Sequence, residues 1–258
     1  MSVAGADGAV PLVVAIDGPS GSGKSSVSRQ VALRLRLAYL DTGAMYRAAT
    51  WWCLEHGVPL VDSAAVAAEV RRLPLDMGVD PAAPTVRVGG VDVGEAIRAT
   101  RISAAVSAVA TNLAVREELR ELQRAAIDAE RQPGSFSDGR GIVAEGRDIT
   151  TVVAPDADAR VLLTASEEAR LARRALDVHG TDDAAAIAAT RDQVVRRDAD
   201  DSTVSSFQVA ADGVVLIDSS VLDVVAQVTG RRVRPADGAG GSGGAGHAGA
   251  DPAGPTGR

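Results

Sequence analysis

Near the start of the chain, a glycine-rich loop ends in a lysine and a serine. Residues 18–25 read GPSGSGKS, which fits the pattern GxxxxGK[ST]. The loop follows a short apolar run at residues 12–16 and precedes residues 27–35, whose apolar side chains recur at helical spacing. A strand, a glycine-rich turn and a helix in this order form the setting in which such a loop binds phosphate. Its backbone N–H groups point inward, and the helix N-terminus adds its positive dipole end.

The polar side chains of this loop predict a site for a nucleoside triphosphate and Mg²⁺. Lys24 would reach the β- and γ-phosphates, and the Ser25 hydroxyl would be a ligand of Mg²⁺. A chance match is the alternative, and the flanking strand and helix argue against it. The residues expected to bind the triphosphate are Gly18, Pro19, Ser20, Gly21, Ser22, Gly23, Lys24, Ser25 and Ser26.

A second candidate site follows the β-type run at residues 38–40. The chain continues as DTGAMYR, which places a hydroxyl at Thr42, a glycine turn, and a guanidinium one helical turn later at Arg47. These groups suit a phosphate acceptor. The alternative stays open: Asp41 or Thr42 is a helix cap and Arg47 is solvated.

A third candidate follows the run at residues 142–144, which leads into EGRDI. The Arg147 guanidinium could bind a phosphate while the Asp148 carboxylate accepts from a base amino group. A surface salt bridge of little energetic worth is the other interpretation.

Basic side chains on a later helix could neutralise a triphosphate. After Ser166, the residues Arg170, Arg173 and Arg174 recur at i, i+3 and i+4, on one face of the expected helix. Such a run commonly forms a solvated face. Residues 180–206 are rich in Asp and Arg, and we interpret them as a mobile segment over the site or, alternatively, as a solvated loop.

Short β-type runs alternate with helical patterns along most of the chain. This alternation predicts a parallel α/β sheet with right-handed crossovers, and ligands in such sheets bind beyond the carboxyl ends of the strands. A Pro-, Gly- and Val-rich stretch interrupts the pattern and predicts a hairpin that turns at Gly89 and Gly90. Strands are expected at 12–16, 38–40, 142–144, 160–163 and 214–217, and helices at 24–36, 43–56, 95–109, 111–130, 166–178 and 221–229.

The composition predicts an aliphatic core and argues against several classes of protein. Hydrophobic residues make up 46% of the 258 residues but aromatic residues only 2%. A net charge of −7 argues against a general nucleic-acid binder, which needs a basic surface. No apolar run approaches the 18 or so residues that span a membrane. Cys53 is the only cysteine, and it is best explained as a small buried thiol. Because one cysteine cannot form an intrachain disulfide, we expect a cytoplasmic protein.

The two ends are expected to be disordered. Residues 1–9 are small and polar, and they lack the pattern of a signal peptide. Residues 235–258 consist mainly of Gly, Ala, Pro, Ser and Asp, too poor in large apolar groups to offset the entropy of ordering.

The chain resembles the bacterial cytidylate kinases, a family of nucleoside monophosphate kinases. The resemblance runs from about residue 13 to residue 219. It rests on several motifs in the family's order: AIDGPSGSGKSS, YLDTGAMYR, VDVGEAIR, VREELRELQR, EGRDITTVVAPDA and AADGVVLIDSS. Adenylate, guanylate and shikimate kinases share the phosphate loop, whereas YLDTGAMYR and VDVGEAIR are far more discriminating.

This resemblance implies a P-loop kinase domain at residues 10–234. It would contain a parallel sheet of about five strands flanked by helices, an inserted monophosphate-binding region near 57–110 and a short lid near 180–206. The implied reaction is direct in-line transfer from ATP to CMP and dCMP, with Mg²⁺, giving CDP and dCDP. The implied partners are these small molecules, with no nucleic acid and no membrane, and we expect a monomer.

Several positions match the family's phosphate-binding residues. Thr42 matches the hydroxyl of the monophosphate site, and Arg47 and Arg147 match its phosphate-binding arginines. Arg170 and Arg174 match the basic helix on the triphosphate side.

Other positions match residues that approach the nucleoside. Ser107, Arg116 and Asp148 match the side chains that hold the cytosine ring, whereas Arg197 and Asp201 match lid residues near the acceptor's ribose. Together, the resemblance implies that the residues directly involved in catalysis are Lys24, Arg47, Arg147 and Arg197.

The sequence also departs from the family pattern. Many members have a further lid arginine a few residues after the position of Asp201, but this chain continues as STVS and its lid is about two residues shorter. Arg173, Arg174 or Arg196 could take its place. Thr150 stands where the family often has a glycine.

Two other functions remain as rivals. One is a kinase for another acceptor, such as UMP or shikimate. The other is a nucleotide-operated switch or a catalytically silent ATP-binding module. A GTPase switch would need an NKxD guanine reader, which the sequence lacks.

Overall fold

The structure is a computed structural model that describes residues 10–220. The predicted disordered ends and the helix expected at 221–229 therefore lie outside the described residues. The strands are β1 (Leu12–Asp17), β2 (Ala38–Asp41), β3 (Leu75–Met77), β4 (Val86–Val88), β5 (Val91–Asp92), β6 (Gly141–Gly146), β7 (Ala159–Thr164) and β8 (Val215–Asp218). The α-helices are α1 (Lys24–Leu35), α2 (Thr42–Glu55), α3 (Ser63–Val70), α4 (Thr100–Ala110), α5 (Leu113–Ala129), α6 (Glu167–His179) and α7 (Ala184–Ser202), and a π-helix spans Ile149–Val153.

The main sheet has five strands in the order β2-β6-β1-β7-β8, and each neighbouring pair is parallel. Helices lie between these strands in the sequence, as right-handed crossovers require. This arrangement confirms the predicted fold class. The register pairs Asp17 with Gly146, and Asp41 with Glu145, so the carboxyl ends of β1, β2 and β6 lie side by side.

The central strand β1 is buried on both faces of the sheet. Val13 and Ala15 belong to the cluster that also contains side chains of α2 and α5. Val14 and Ile16 belong to the opposite cluster, with side chains of α1. Covering helices on both faces explain the nearly continuous apolar strand sequence. Cys53 is also buried, which raises the pKa of its thiol to about 11 and fits the predicted structural role.

A second, antiparallel sheet of β3, β4 and β5 lies within the inserted region. Its hairpin turns at Gly89 and Gly90, which adopt positive φ angles of 57° and 82°. These angles favour glycine, so the predicted hairpin has a clear local cause. The third strand and α3 were not predicted. The Asp62 carboxylate caps α3 by accepting from the backbone N–H groups of Ala64 and Ala65.

The helix predicted at 95–109 is divided into two parts. A short 3-10 helix at Ala96–Arg98 precedes Ala99, whose ψ of 149° is not helical, and α4 begins at the next residue. Asn112 then caps α5 through its side-chain oxygen. The break turns α4 so that it packs against both α2 and α7.

The segment predicted as a lid forms mainly one helix. Asp183 caps α7, and α7 packs against α6 and α4. The last two turns of α7 thereby lie above the phosphate loop, where two of its carboxylates form ion pairs described below.

Candidate active site

The glycine-rich loop joins β1 to α1, and its backbone requires glycine at specific positions. Gly21 and Gly23 adopt φ angles of 77° and 84°. A Cβ at Gly21 would also collide with the backbone carbonyl of Arg170. Lys24 begins α1, and its Nζ donates to the carbonyl of Pro19 at 2.9 Å. Desolvation lowers the pKa of Lys24.

A buried carboxylate lies beside this lysine, and the sequence reasoning missed it. Glu145 is in β6, where it pairs in register with Ile16 of β1. The Tyr39 hydroxyl donates to Glu145 Oε1 at 2.5 Å. Burial and the charge of Asp41 raise the pKa of Glu145, whereas Lys24 and the Ser25 hydroxyl favour its ionised form. A carboxylate, a hydroxyl and an ammonium therefore meet at the loop.

The first turn of α2 forms one wall of the site. Asp41 caps the helix by accepting from the backbone N–H of Ala44, as one of the alternatives predicted. The Thr42 hydroxyl donates to the carbonyl oxygen of Glu145 at 2.7 Å. The cap and the hydroxyl contact fix the start of α2 against the end of β6.

Arg47 is half-buried, not solvated. Its Nη1 donates to the Ser103 hydroxyl at 2.9 Å and to the carbonyl of Ile97 at 3.2 Å. Burial, together with the charges of Arg197 and Arg174, lowers the pKa of Arg47 to about 9. Three guanidiniums close enough to disfavour one another's charge form a region that an anion would stabilise.

Arg147, Arg170 and the phosphate loop share a single carboxylate, that of Asp198 in α7. Arg147 Nη1 donates to Asp198 Oδ1 at 2.7 Å, and Arg170 Nη1 donates to Oδ2 at 2.5 Å. The backbone N–H of Ser20 also donates to Oδ1, at 3.2 Å. Burial alone would raise the pKa of Asp198, but Arg147 and these hydrogen bonds hold it below its ordinary value. An anion is thus bound where the loop and two arginines converge.

Asp201, one turn further along α7, forms a second contact with the same arginine. Its Oδ2 lies 2.9 Å from Arg147 Nε and 3.7 Å from Arg197 Nε. The Arg147 guanidinium also lies over the Phe207 ring, 4.4 Å from its centroid. Burial and the nearby Arg147 lower the pKa of Arg197 to about 10. The Arg197 Nε is buried and has no hydrogen-bond partner among the described residues.

Asp148 lies at the other end of the site, between two arginines of α5. Arg116 Nη2 donates to Asp148 Oδ2 at 2.6 Å, and Arg120 donates to the same oxygen from Nη2 at 2.8 Å. The Arg116 guanidinium lies 5.7 Å from the centre of the Tyr46 ring. Its Nε is buried without a partner in the described part of the chain. The pair Arg147–Asp148 is therefore no surface salt bridge, because each side chain binds other partners.

A cleft runs from Arg147 to the Asp148 end of the site. Among the predicted residues it is lined by Thr42, Arg116, Arg147, Asp148, Arg197 and Asp201. A smaller neighbouring cleft is lined by Arg174 and Arg197 together with Ser20 and Ser103. Burial lowers the pKa of Arg174.

Within the described part of the chain, some predicted residues form no side-chain hydrogen bond with the groups described above. Ser107 is on α4 between Val106 and Ala110, which line the main cleft, but Ser107 itself is not a lining residue. Its backbone carbonyl accepts from the Thr111 hydroxyl. Ser26 is exposed on the first turn of α1. Arg173, named as a substitute for the missing lid arginine, instead donates to the hydroxyl and carbonyl of Ser219.

Asp17 anchors the loop that carries Arg147 and Asp148. Its carboxylate accepts from the backbone N–H groups of Ile149 and Thr150, at 3.0 Å and 2.8 Å. The Thr150 hydroxyl adds a third bond at 2.7 Å, which the family's common glycine could not make. Burial raises the pKa of Asp17.

Four residues of the site were not singled out from the sequence: Ser103, Arg120, Glu145 and Asp198. Two of them carried a usable signal. Glu145 directly follows the buried run predicted at residues 142–144, and Arg120 lies four residues after Arg116, on the same helix face. Ser103 and Asp198 gave no comparable signal, because their contacts depend on how α4 and α7 pack.

Neither a cluster of metal-binding side chains of the His, Cys, Asp and Glu type nor a helix able to cross a membrane is found within residues 10–220.

The strand order, the loop after β1 and the arginines that converge on it define a P-loop kinase of the nucleoside monophosphate kinase type. The family model of cytidylate kinases matches residues 14–233. A cytidylate kinase of Rhodococcus jostii is 51% identical over 220 residues, which cover 83% of this chain and 90% of the relative. One from Streptomyces avermitilis is 47% identical over 221 residues, covering 84% and 90%. The chain belongs to the cytidylate kinase family.

A further relative is the cytidylate kinase of Nocardia farcinica, 47% identical over 235 residues, with 86% of this chain and 95% of the relative covered. A solved structure from Thermus thermophilus aligns with 81% of this chain and 89% of its own, at 17% identity and a TM-score of 0.36. That structural likeness is too distant to add to the assignment.

Proposed function

We propose that this protein transfers the γ-phosphoryl group of ATP to CMP and dCMP, forming CDP or dCDP and ADP. The family membership supports this reaction, and ATP is the phosphoryl donor. The observation that carries the assignment of the site is the convergence of Ser20, Arg147 and Arg170 on one anion, the Asp198 carboxylate. The same donors would bind phosphate oxygens with similar geometry.

The residues present fit a hard divalent cation. The Ser25 hydroxyl and the Glu145 carboxylate lie together at the start of α1, and oxygen donors of this kind suit Mg²⁺. We therefore propose that both hold Mg²⁺, which would neutralise charge on the transferring group. Lys24, 2.9 Å from the carbonyl of Pro19, would exchange that contact for the β- and γ-phosphates.

In this reaction the arginines would place the phosphates and neutralise their negative charge. Phosphoryl transfer needs little acid–base chemistry, so in-line placement and charge neutralisation dominate. Arg47 and Arg197 have pKa values lowered by burial and by other arginines, so negative charge between them is favourable. We assign Arg47, Arg147 and Arg197 to the acceptor phosphate and the transferring group. Arg170 and Arg174 are assigned to the donor side.

The α5 end of the cleft would bind the base. The Asp148 carboxylate can accept from the amino group of cytosine, and the unpartnered Arg116 Nε can donate to the ring. Thr42 would contact the acceptor phosphate and Asp201 the ribose. Ser107 stays a candidate for the base only if the turn of α4 beside Val106 rotates toward the cleft.

The position of α7 supports a lid that excludes water. Asp198 and Asp201 hold α7 against Arg147. Substrate phosphates would displace these carboxylates, and the released arginines would then bind the substrate. Closure over bound substrates protects the phosphoryl group from hydrolysis.

A coupled ADP-release assay with CMP, dCMP, UMP, AMP and GMP tests the function. We expect turnover with CMP and dCMP well above that with the other three. A uridylate kinase would prefer UMP, and a silent ATP-binding module would show no acceptor-dependent release of ADP. Either result would overturn the proposal.

The proposals for the assembly state and the cellular location rest on the sequence alone. We propose a monomer that acts in the cytoplasm on free nucleotides, without binding nucleic acid or membrane. Sedimentation of the purified full-length chain, with and without ATP and CMP, tests the monomer.

A further inference from the structure

Arg120 is not among the residues that line the main cleft, yet it contacts the carboxylate assigned to the base. It lies one helical turn after Arg116 on α5, so both guanidiniums reach Asp148 from the same side. The Arg120 side chain is 17% exposed, against 5% for Arg116 and 6% for Asp148. Arg120 therefore covers the buried pair from its solvent side.

Arg120 donates twice to a single oxygen. Its Nη2 and Nε lie 2.8 Å and 3.2 Å from Asp148 Oδ2, the oxygen that also accepts from Arg116 Nη2. Among the described residues, Oδ1 of Asp148 accepts no hydrogen bond. Three donors on one oxygen fix the rotation of the carboxylate and leave the other oxygen for a ligand.

Arg120 also changes what Arg116 can do. An isolated arginine and carboxylate commonly form a two-bond pair, which would occupy the Arg116 Nε and both carboxylate oxygens. Here Arg116 gives Asp148 only Nη2, donates Nη1 to the carbonyl of Ala110 at 3.1 Å and keeps Nε without a partner. The structure thus holds a buried donor, Arg116 Nε, beside an acceptor, Oδ1 of Asp148, a residue that lines the cleft, and a buried donor without a partner is costly unless a ligand completes it.

We infer that Arg120 is a positioning residue for base selection: it binds Asp148 Oδ2 so that Arg116 and Asp148 cannot satisfy each other fully. Arg116 Nε and Asp148 Oδ1 then recognise the ring N3 acceptor and the exocyclic amino donor of cytosine, two positions at which uracil presents a donor and an acceptor instead. This inference rests on the proposed function, because it concerns how the same site selects its acceptor.

The inference predicts a specific kinetic signature for Arg120→Gln. The ratio of kcat/KM for CMP to that for UMP should fall roughly fivefold to tenfold, the net worth of one ordinary hydrogen bond. The change should come mainly from a higher KM for CMP, with kcat at saturating CMP within about twofold. Arg120→Lys, which keeps the charge but not the two-bond geometry, should give a ratio between those of Arg120→Gln and the wild type.

The matched control is Arg124→Gln. Arg124 lies one further turn along α5 and donates to Glu121 and to the carbonyl of Val152, but not to Asp148. Its loss should leave the CMP:UMP ratio unchanged. An equal fall in both variants would assign the effect to helix charge and overturn the inference.

A double-mutant cycle with Asp148→Asn separates positioning from stability. If Arg120 acts through Asp148, its replacement should not change the ratio further once the carboxylate is gone. An undiminished effect in the Asp148→Asn background would overturn the inference. Should Arg120→Gln fail to fold by circular dichroism, the Lys variant decides: its ratio should still drop about threefold, and an unchanged ratio contradicts the role.

The outcomes also distinguish the two proposals. A wild-type enzyme that shows no preference for CMP over UMP overturns the proposed function and this inference together. A wild-type enzyme that prefers CMP, with the preference retained in Arg120→Gln, overturns only the role of Arg120.

Discussion

Arg147 donates to Asp198 at 2.7 Å and thereby joins the end of β6 to the last turns of α7. The side chains are 14% and 9% exposed, so the pair is largely shielded from water. The same carboxylate also accepts from the backbone N–H of Ser20 in the phosphate loop. In the proposed site, a phosphate oxygen would take the place of this carboxylate, so lid position and phosphate binding would depend on the same donors.

This relationship predicts the behaviour of Asp198→Asn. Loss of the carboxylate leaves Arg147 and Arg170 without their shared anion, so the free energy of unfolding should fall by about 3 kcal/mol. Inorganic phosphate should restore part of that loss, and it should raise the thermal midpoint more in the variant than in the wild type. Asp192→Asn, on the exposed part of α7, is the control. Equal phosphate stabilisation in all three proteins would contradict the shared-anion account.

Lys24→Ala should lower turnover on the order of 10² to 10³ or more, as for other preorganised electrostatic contacts. The fold should persist, because the only hydrogen bond described for the Lys24 side chain is the one to Pro19. Circular dichroism and a rate measurement on the same preparation check both expectations. Near-normal turnover would mean that the loop does not serve the reaction.

Lys24 is the only lysine in the sequence, which allows a chemical test. An amine-selective acylating reagent should modify Lys24 and the N-terminus alone, because burial lowers the pKa of Lys24 to about 8 and so brings it into the range of an ordinary α-amino group. Modification should abolish turnover, and ATP should protect Lys24 but not the N-terminus. Peptide mass mapping with and without ATP measures this. Inactivation without Lys24 modification would be inconsistent with its proposed contact with phosphate.

The effect of Glu145→Gln on thermal stability should depend on pH. The pKa of Glu145 is raised above its ordinary 4.5, mainly by burial, so the folded protein binds this proton more tightly than the unfolded chain. Its contribution to stability is fully present below about pH 4.5 and is lost as the pH rises through the folded-state pKa. Without nucleotide and Mg²⁺, the variant should therefore gain thermal stability over the wild type at about pH 8 but not at about pH 4.

The same variant should lose most of its turnover, because an amide is a poor ligand for Mg²⁺. Glu117→Gln, on an exposed part of α5, controls for a general change in charge. A stability difference that did not grow with pH would contradict a raised pKa for Glu145. Retained turnover would remove Glu145 from the proposed Mg²⁺ site.

The sequence predicted the main sheet and the phosphate loop because their signals are local. The run at residues 12–16 and the glycines around Lys24 specify a strand and a turn without distant contacts. The break at Ala99 was not predicted, since nothing in its neighbours forbids a helix. Ala99 has a ψ of 149° between the 3-10 helix and α4.

Among the site residues, too, local sequence signals predicted some positions, whereas others depend on distant packing. Arg147 and Asp148 follow a recognisable strand, so their position at the sheet edge could be predicted. Their partners could not, because Asp198 and Arg120 reach them across 51 and 28 residues of sequence. From the local sequence alone, the arginines and carboxylates could equally lie on a solvated surface or in a binding site. Only the packing of distant elements distinguishes these two possibilities.

The central claim is that the Asp148 carboxylate makes this kinase select cytosine. An ionised carboxylate only accepts hydrogen bonds, so the Oδ1 atom of Asp148, which no arginine of the described chain contacts, pairs with the amino group of cytosine but receives no donor from the carbonyl of uracil. The direct measurement is kcat/KM for CMP and for UMP, in the wild type and in Asp148→Ala. We predict that the CMP:UMP ratio falls about tenfold or more, mainly through loss of CMP turnover. An unchanged ratio in a folded Asp148→Ala protein would contradict the claim and place base selection elsewhere.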